Sequence, residues 1–162
     1  MLKKILIVLA LLVVCLLVVI QTRPATYHVE RSAVVPAAPE VVYAMIIDFH
    51  AWKAWSPWEH RDPNLQRTFA GSGVGATYHW TGNSEVGEGQ MTIVEAAPVE
   101  RIAIRLDFIK PFASTSQAVF TLAPAEGGTN VTWTMDGKND FISKAFTLMG
   151  SMDSMIGPDF EK

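Results

Sequence analysis

The stretch from Ile5 to Ile20 constrains this chain more than any other feature. It is sixteen consecutive apolar residues, with Lys3 and Lys4 before it and Gln21-Thr22-Arg23 after it. As a helix it rises about 24 Å, slightly short of a ~30 Å hydrocarbon core. Lysine side chains that snorkel to the interface and a polar Gln21-Thr22 end make up the difference. No polar face interrupts the run, which disfavours a buried core helix. A cleaved signal peptide shares the charged start and apolar middle, but no small-x-small site follows before Pro24. Cys15 is preceded by Val13-Val14, where a lipoprotein needs small residues. The favoured reading is an uncleaved anchor over residues 1–23, crossing the membrane once through residues 5–20, followed by a single domain over residues 24–162. Lys3 and Lys4 favour an inside N-terminus against a weak counterweight from Arg23 and Arg31, so the domain is expected outside the cytoplasm.

Charge narrows the function classes. From Pro24 onward ten Lys and Arg face all 16 acidic residues of the chain. A nucleic-acid partner is therefore excluded in the usual electrostatic sense, because phosphate binding needs a clustered positive surface. The one cysteine cannot form an internal disulfide. A hydrophobic content of 49% is too high for a disordered chain.

After the anchor, the pattern alternates between two periods. Thr26 to Val35 reads as a strand ending at Pro36, and Pro39 opens a short helix, Glu40 to Ile47, with Val41, Val42, Met45 and Ile46 turned inward. A second short turn carries Trp52 and Trp55 and ends at Ser56-Pro57. Strands follow at Leu65 to Phe69, Ala76 to Thr81, Glu88 to Glu95, Arg101 to Phe108, Ser114 to Leu122 and Val131 to Asp136, punctuated by Gly, Asn and Pro. Ile102, Ile104, Leu106 and Phe108 alternate with Ala103, Arg105 and Asp107, as on an antiparallel sheet covered on one face. From Asn139 to Lys162 helical spacing returns through Phe141, Ala145, Leu148, Met149, Met152, Met155 and Ile156, with an interruption expected at Gly157-Pro158. The expected fold class is α+β: a curved antiparallel sheet of six to seven strands wrapped on one long C-terminal helix.

Catalytic constellations are thin. His28, His50, His60 and His79 have no metal-ligand spacing, so no metal is expected. Glu59-His60-Arg61-Asp62 reads first as a solvated charged loop. No serine sits in a nucleophile elbow, and Gly71-Ser72-Gly73-Val74-Gly75 lacks the Gly-Lys-Ser/Thr of a phosphate loop. No cofactor is implied.

A series of local strings resembles one family. It runs Trp52-x-x-Trp55-Ser56-Pro57-Trp58-Glu59 with Asp62-Pro63, Gly73-x-Gly75, Tyr78-x-Trp80-x-Gly82-Asn83, and Gly87-x-Gly89-x-Met91-x-Ile93. Lys110-Pro111-Phe112, Gly128-Thr129-x-Val131-x-Trp133-x-Met135-x-Gly137 and Met152-Asp153-x-Met155-Ile156-Gly157-x-Asp159-Phe160 complete it. Their order over Tyr27 to Lys162 resembles the START-like, or SRPBCC, superfamily of polyketide cyclases/dehydrases and lipid-transport proteins, in its membrane-anchored bacterial form. That resemblance implies a helix-grip fold, a bacterial inner-membrane location with a periplasmic domain, and a cavity for apolar or amphipathic ligands. Members usually continue the terminal helix beyond Asp-Phe-Glu, whereas this sequence stops at Lys162, which leaves a shortened helix or a shortened chain as alternatives.

Within that frame, Trp80, Met91, Ile93, Ile104, Leu106, Phe120 and Trp133 fall on inner-face positions, opposite Leu148, Met149, Met152 and Ile156. Trp52, Trp55 and Trp58 are expected at the cavity mouth. Core packing explains each such residue equally well, because aromatic burial alone stabilises a fold. The polar candidates for the cavity are Glu59, His79, Glu88 and Gln90, with Glu59 or His79 as acid/base if chemistry occurs. Three functions stay open: a tethered module binding a lipid-like small molecule, a polyketide cyclase/dehydratase-like enzyme, and an accessory subunit of a membrane complex presenting Trp52, Trp55 and Trp58 to an unknown protein partner.

Overall fold

A computed structural model, which describes residues 1–161, shows a seven-stranded antiparallel sheet with helices on one face. The strands are β1 (Thr26–Val35), β2 (Gln66–Ala70), β3 (Thr77–Thr81), β4 (Glu88–Ala97), β5 (Arg101–Lys110), β6 (Ser114–Ala125) and β7 (Gly128–Lys138). Their order is β1-β7-β6-β5-β4-β3-β2, so the first strand pairs with the last and the remainder is a meander. The α+β helix-grip fold expected from the sequence is the fold observed.

The register sorts the connections onto two ends of the sheet. One end gathers the start of β1, where Thr26 faces Lys138, the turn at residues 111–113 and the hairpin at residues 82–87. The other gathers the hairpin tips at residues 126–127, 98–100 and 71–76. Helix α1 (Leu2–Gln21) joins the first of these ends. With a mean hydropathy of 3.0 it is long and apolar enough to cross a membrane, a property that signal sequences share. Its residues are exposed except for Ile20, and it meets the domain where Lys144 donates to the Gln21 carbonyl.

Helix α2 (Pro39–Ile47) begins with proline, which tolerates the first helical turn because its missing N–H has no partner there anyway. It buries Val42 and Ile46, while Val41, expected to point inward, is exposed. Residues 42, 46 and 49 share one face at helical spacing, and position 41 turns about 100° away from it. With Trp52 these side chains pack on Ile93, Ile102, Ile104 and Phe120, the most buried part of the sheet.

The C-terminal segment departs from the expected single helix. It forms α3 (Phe141–Phe146) and α4 (Met152–Ile156), then a 3₁₀ turn over Gly157–Asp159. Caps explain the break: Asp140 accepts from the Ser143 amide, and the Ser151 hydroxyl oxygen accepts from the Ser154 amide after Gly150, a weak helix former. Apolar spacing runs through the gap, but a second N-cap restarts the helix in another direction. The segment is held to the sheet by charge. Arg31 of β1 bonds Asp153 at 2.7 Å and Glu161 at 2.5 Å, and its guanidinium lies over Gly157, where a Cβ would collide with it. Arg61 pairs with Asp159 in the same way.

Arg31 keeps the Asp153 carboxyl below the usual carboxylate range through their hydrogen bond. A depressed pKa means that this contribution is complete above about pH 4 and fades as the pH falls further. Replacing Arg31 by Met is expected to raise amide exchange of α4 roughly three- to tenfold, the scale of partly exposed ion pairs, while β5 and β6 stay unchanged. Unchanged exchange in α4 would show that the pairs hold nothing.

Candidate functional site

A cavity of about 340 Å³ lies between the inner face of the sheet and the helical layer. It occupies the part of that face nearest the start of β1. Two glycines make the space. At Gly89 a Cβ would strike the Trp80 ring, and at Gly137 it would strike the ring of Tyr27, so each ring lies flat across a neighbouring strand instead of projecting inward. Trp80, Met91, Leu106, Phe108 and Trp133 form much of the wall from the sheet side, Trp58 adds to it from a 3₁₀ turn, and Met152, Ile156 and Phe160 close it from the C-terminal segment. Phe160 stacks on Trp133 at 4.0 Å between centroids and 7° between planes, and Trp58 meets both edge-on.

One carboxylate is buried in this wall. Glu59 sits in a 3₁₀ turn, Pro57–His60, and its side chain is 4% exposed. Tyr78 Oη donates to Glu59 Oε1, and Arg67 Nε donates to Oε2 at 2.6 Å. Arg67 also donates to the carbonyls of Glu59 at 3.1 Å and Leu65 at 2.8 Å, so one guanidinium ties β2 to the turn. The Tyr78 phenol is pushed up, first by burial and then by its hydrogen bond to Glu59 and the carboxylate charge; Arg67 opposes this. The indole N–H of Trp133 is buried without an acceptor among the described residues.

The candidates from sequence divide by position. Trp58, Trp80, Met91, Leu106, Trp133, Met152 and Glu59 all border the cavity. Trp55 stands behind the wall, donating to the Met45 carbonyl at 3.0 Å and packing on Trp52 at 4.6 Å. Ile93 and Phe120 belong to the close-packed core, and Met149 is 75% exposed, away from the cavity. His79 shares the outer face with Glu88, 3.5 Å away, and Gln90, its register partner. Trp52 is buried and Trp55 and Trp58 are half-buried, so the three do not form an exposed patch. Among the described residues, no group of His, Cys, Asp and Glu is placed to hold a metal ion.

Sequence reasoning missed Arg67 and Tyr78. Tyr78 was within reach, because it shares the parity of Trp80 on β3. Arg67 left no signal: it reaches Glu59 only because β2 pairs with β3, setting Arg67 opposite Trp80.

The sequence profile of the family described as polyketide cyclase / dehydrase and lipid transport matches residues 26–161. The chain belongs to that family. Among solved structures, it is 23% identical to protein CV1439 from Chromobacterium violaceum, covering 82% of this chain and 93% of that one with a TM-score of 0.53. An uncharacterized protein from Rhizobium leguminosarum is 16% identical, with 85% and 93% covered and a TM-score of 0.59. The di-domain ARO/CYC StfQ of the steffimycin biosynthetic pathway is 10% identical, with 85% of this chain and 44% of that one covered and a TM-score of 0.57. At these identities the likeness is one of fold. A comparison with curated proteins finds no match.

Replacing Glu59 by Gln keeps the shape but leaves Arg67 without its charge partner. Breaking a buried pair costs roughly 3–5 kcal/mol, and the 22% exposure of the Arg67 side chain reduces this, so a loss of about 2–3 kcal/mol is expected in urea denaturation of the full chain in mild detergent. Tyr78 gives a pH signature. Its raised pKa means that the folded state holds the proton more tightly, a contribution complete below about pH 10 and lost above it. Wild-type stability should therefore fall more steeply above that pH than the stability of Tyr78→Phe. Parallel pH curves would remove Tyr78 from the network.

Proposed function

We propose that this protein is a membrane-tethered binding module that holds a hydrophobic or amphipathic small molecule, lipid-like in character, in the cavity under the C-terminal segment. The observation that carries this reading is the cavity itself. Protein interiors are close-packed, with few voids larger than a water molecule. A hollow of about 340 Å³ falls instead at the lower end of the range for small-molecule sites. Its aromatic and methionine walls favour burial of hydrocarbon, and the thioether side chains adapt to irregular shapes. Glu59 supplies the polar end. Each carboxylate oxygen keeps acceptor capacity after one hydrogen bond, so a ligand hydroxyl or N–H can be received there. The family description, which pairs lipid transport with cyclase and dehydrase activity, supports a ligand of this character. Helix α1 serves as the tether through residues 5–20, in a bacterial inner membrane with the domain on the periplasmic side.

A cyclase/dehydratase-like reaction at Glu59 is the second reading, favoured by the position of this carboxylate in the cavity wall. It is the weaker one. Both Glu59 oxygens are engaged by the chain's own donors, and Tyr78, the titratable neighbour, spends its proton on Glu59. Acid/base work on a substrate needs a second group within reach of a shared position. His79 is on the opposite face of the sheet.

Full-length protein in lipid nanodiscs should bind a fluorescent fatty acid saturably and one to one. Leu106→Trp fills the cavity and should weaken binding at least about tenfold, or 1.4 kcal/mol, with the far-ultraviolet dichroism unchanged. Equal affinity in both proteins would move the site out of the cavity. No saturable binding by the wild type would overturn the reading.

A further inference from the structure

The sheet end that carries the cavity also carries exposed apolar side chains and the tether. Ile109, Phe112, Phe141, Ile142, Phe146 and Leu148 are each 36–49% exposed. Ile109 is next to last in β5, Phe112 lies in the turn that follows, and Phe141, Ile142 and Phe146 lie on α3. The Phe112 and Phe146 rings, 6.0 Å apart, join the turn and the helix into one patch. Contiguous apolar surface of this kind marks an interaction site in a soluble domain.

The tether decides what covers it. Only Thr22, Arg23, Pro24 and Ala25 separate α1 from β1, a reach of at most about 18 Å. Two of them are pinned to the patch end: Asn139 donates from its side chain to the Pro24 carbonyl at 3.1 Å and from its amide to the Ala25 carbonyl at 2.9 Å. With α1 in a bilayer, this end of the sheet cannot leave the headgroup region. Charge agrees. Lys138 ends β7 and Lys144 lies on α3 at this end. Of the acids there, Glu88 pairs with Lys110 at 2.6 Å, and Asp107 bonds Arg105 and Asp136 bonds His28, each at 2.7 Å. Asp140 caps α3, Asp62 is buried and accepts from the Asn64 and Asn83 amides, and Glu85 is exposed. Basic residues beside an apolar face suit anionic lipid headgroups. Ser114, Lys138 and Ser143, which border the cavity, lie at the same end.

We propose that the patch formed by the turn after β5 and by α3 docks on the bilayer that holds α1, so that the cavity exchanges its ligand with the headgroup layer. The proposal rests on the reading of α1 as a retained anchor. It turns the tether into an orienting device: the domain loads from the membrane below it, and the hairpin at residues 126–127 points away.

The test uses the full chain with Cys15→Ala and a single new cysteine, Phe112→Cys, Ile142→Cys or Glu126→Cys. Each is labelled with an environment-sensitive fluorophore and reconstituted in phosphatidylcholine–phosphatidylglycerol vesicles. Glu126 is the control, because the twelve residues of β6 put it about 40 Å from the patch end. An apolar face sinks roughly 5–10 Å into the interface, so quenching by nitroxide-bearing lipids should be about threefold stronger at positions 112 and 142 than at 126. Retention in alkaline carbonate with quenching equal at all three positions would keep the anchor and overturn the docking. Labels at 112 and 142 shielded from aqueous iodide but untouched by nitroxide lipids would assign the patch to a contact with a second copy of this chain, which also overturns it. Release by carbonate would overturn the anchor reading and the proposal with it.

Discussion

The pairing of β1 with β7 along ten residues holds together everything of functional interest. It joins the start of the domain to the end of its sheet, across more than a hundred residues, and so must form late relative to local hairpins. Three consequences follow from its register. Tyr27 comes to lie over Gly137, Arg31 is set beside Trp133, and Thr26 meets Lys138. The first opens space, the second supplies the cation that fastens the C-terminal segment, and the third puts helix α1 at the cavity end. A slip of one residue would turn Arg31 and Tyr27 to the outer face and abolish the first two together.

The inner face is divided by side-chain size. Where α2 and Trp52 cover it, Ile93, Ile102, Ile104 and Phe120 fill the space to normal density. Toward the start of β1 the covering layer thins to the short helix α4 and a single turn, and two inner positions of the sheet are glycine. Large rings surround the gap but lie along the strands, so their area lines it without filling it. Glu59 is tolerated at its edge because two donors meet it, one of them charged; a lone carboxylate there would cost several kcal/mol.

Strand alternation made the sheet legible, since every apolar inner-face residue proposed on β3 to β7 has the expected parity, whereas His79, Glu88 and Gln90, the polar candidates on β3 and β4, have the opposite one. The same rule separates His79 from Trp80: adjacent strand residues cannot share a face. The helical segment misled because spacing and capping disagree there. Phe141, Ala145, Leu148, Met152 and Ile156 keep a helical period, yet Asp140 and Ser151 each start a helix and Gly150 separates them. Caps act over one turn, so they decide where short helices begin even when periodicity continues. The Glu59 network lay beyond reading, because Arg67 and Tyr78 meet Glu59 only after β2 pairs with β3 and a turn folds back on them.

The forces over the cavity are of a particular size. Arg31 and Arg61 hold α4 and the following turn through ion pairs whose arginine side chains are partly exposed, so solvent screens them. The Trp133–Phe160 stack adds about 0.5–1.5 kcal/mol beyond burial. Segments held by a few kcal/mol open in roughly 0.1–10% of molecules. That is firm enough to keep water from an apolar ligand and weak enough to let one pass. The core under α2 has no such weak side, since its covering helix is buried along one face and tied in by the Trp52 and Trp55 indoles. Stability and access are thus assigned to opposite ends of one sheet, and the access end is the one that helix α1 joins.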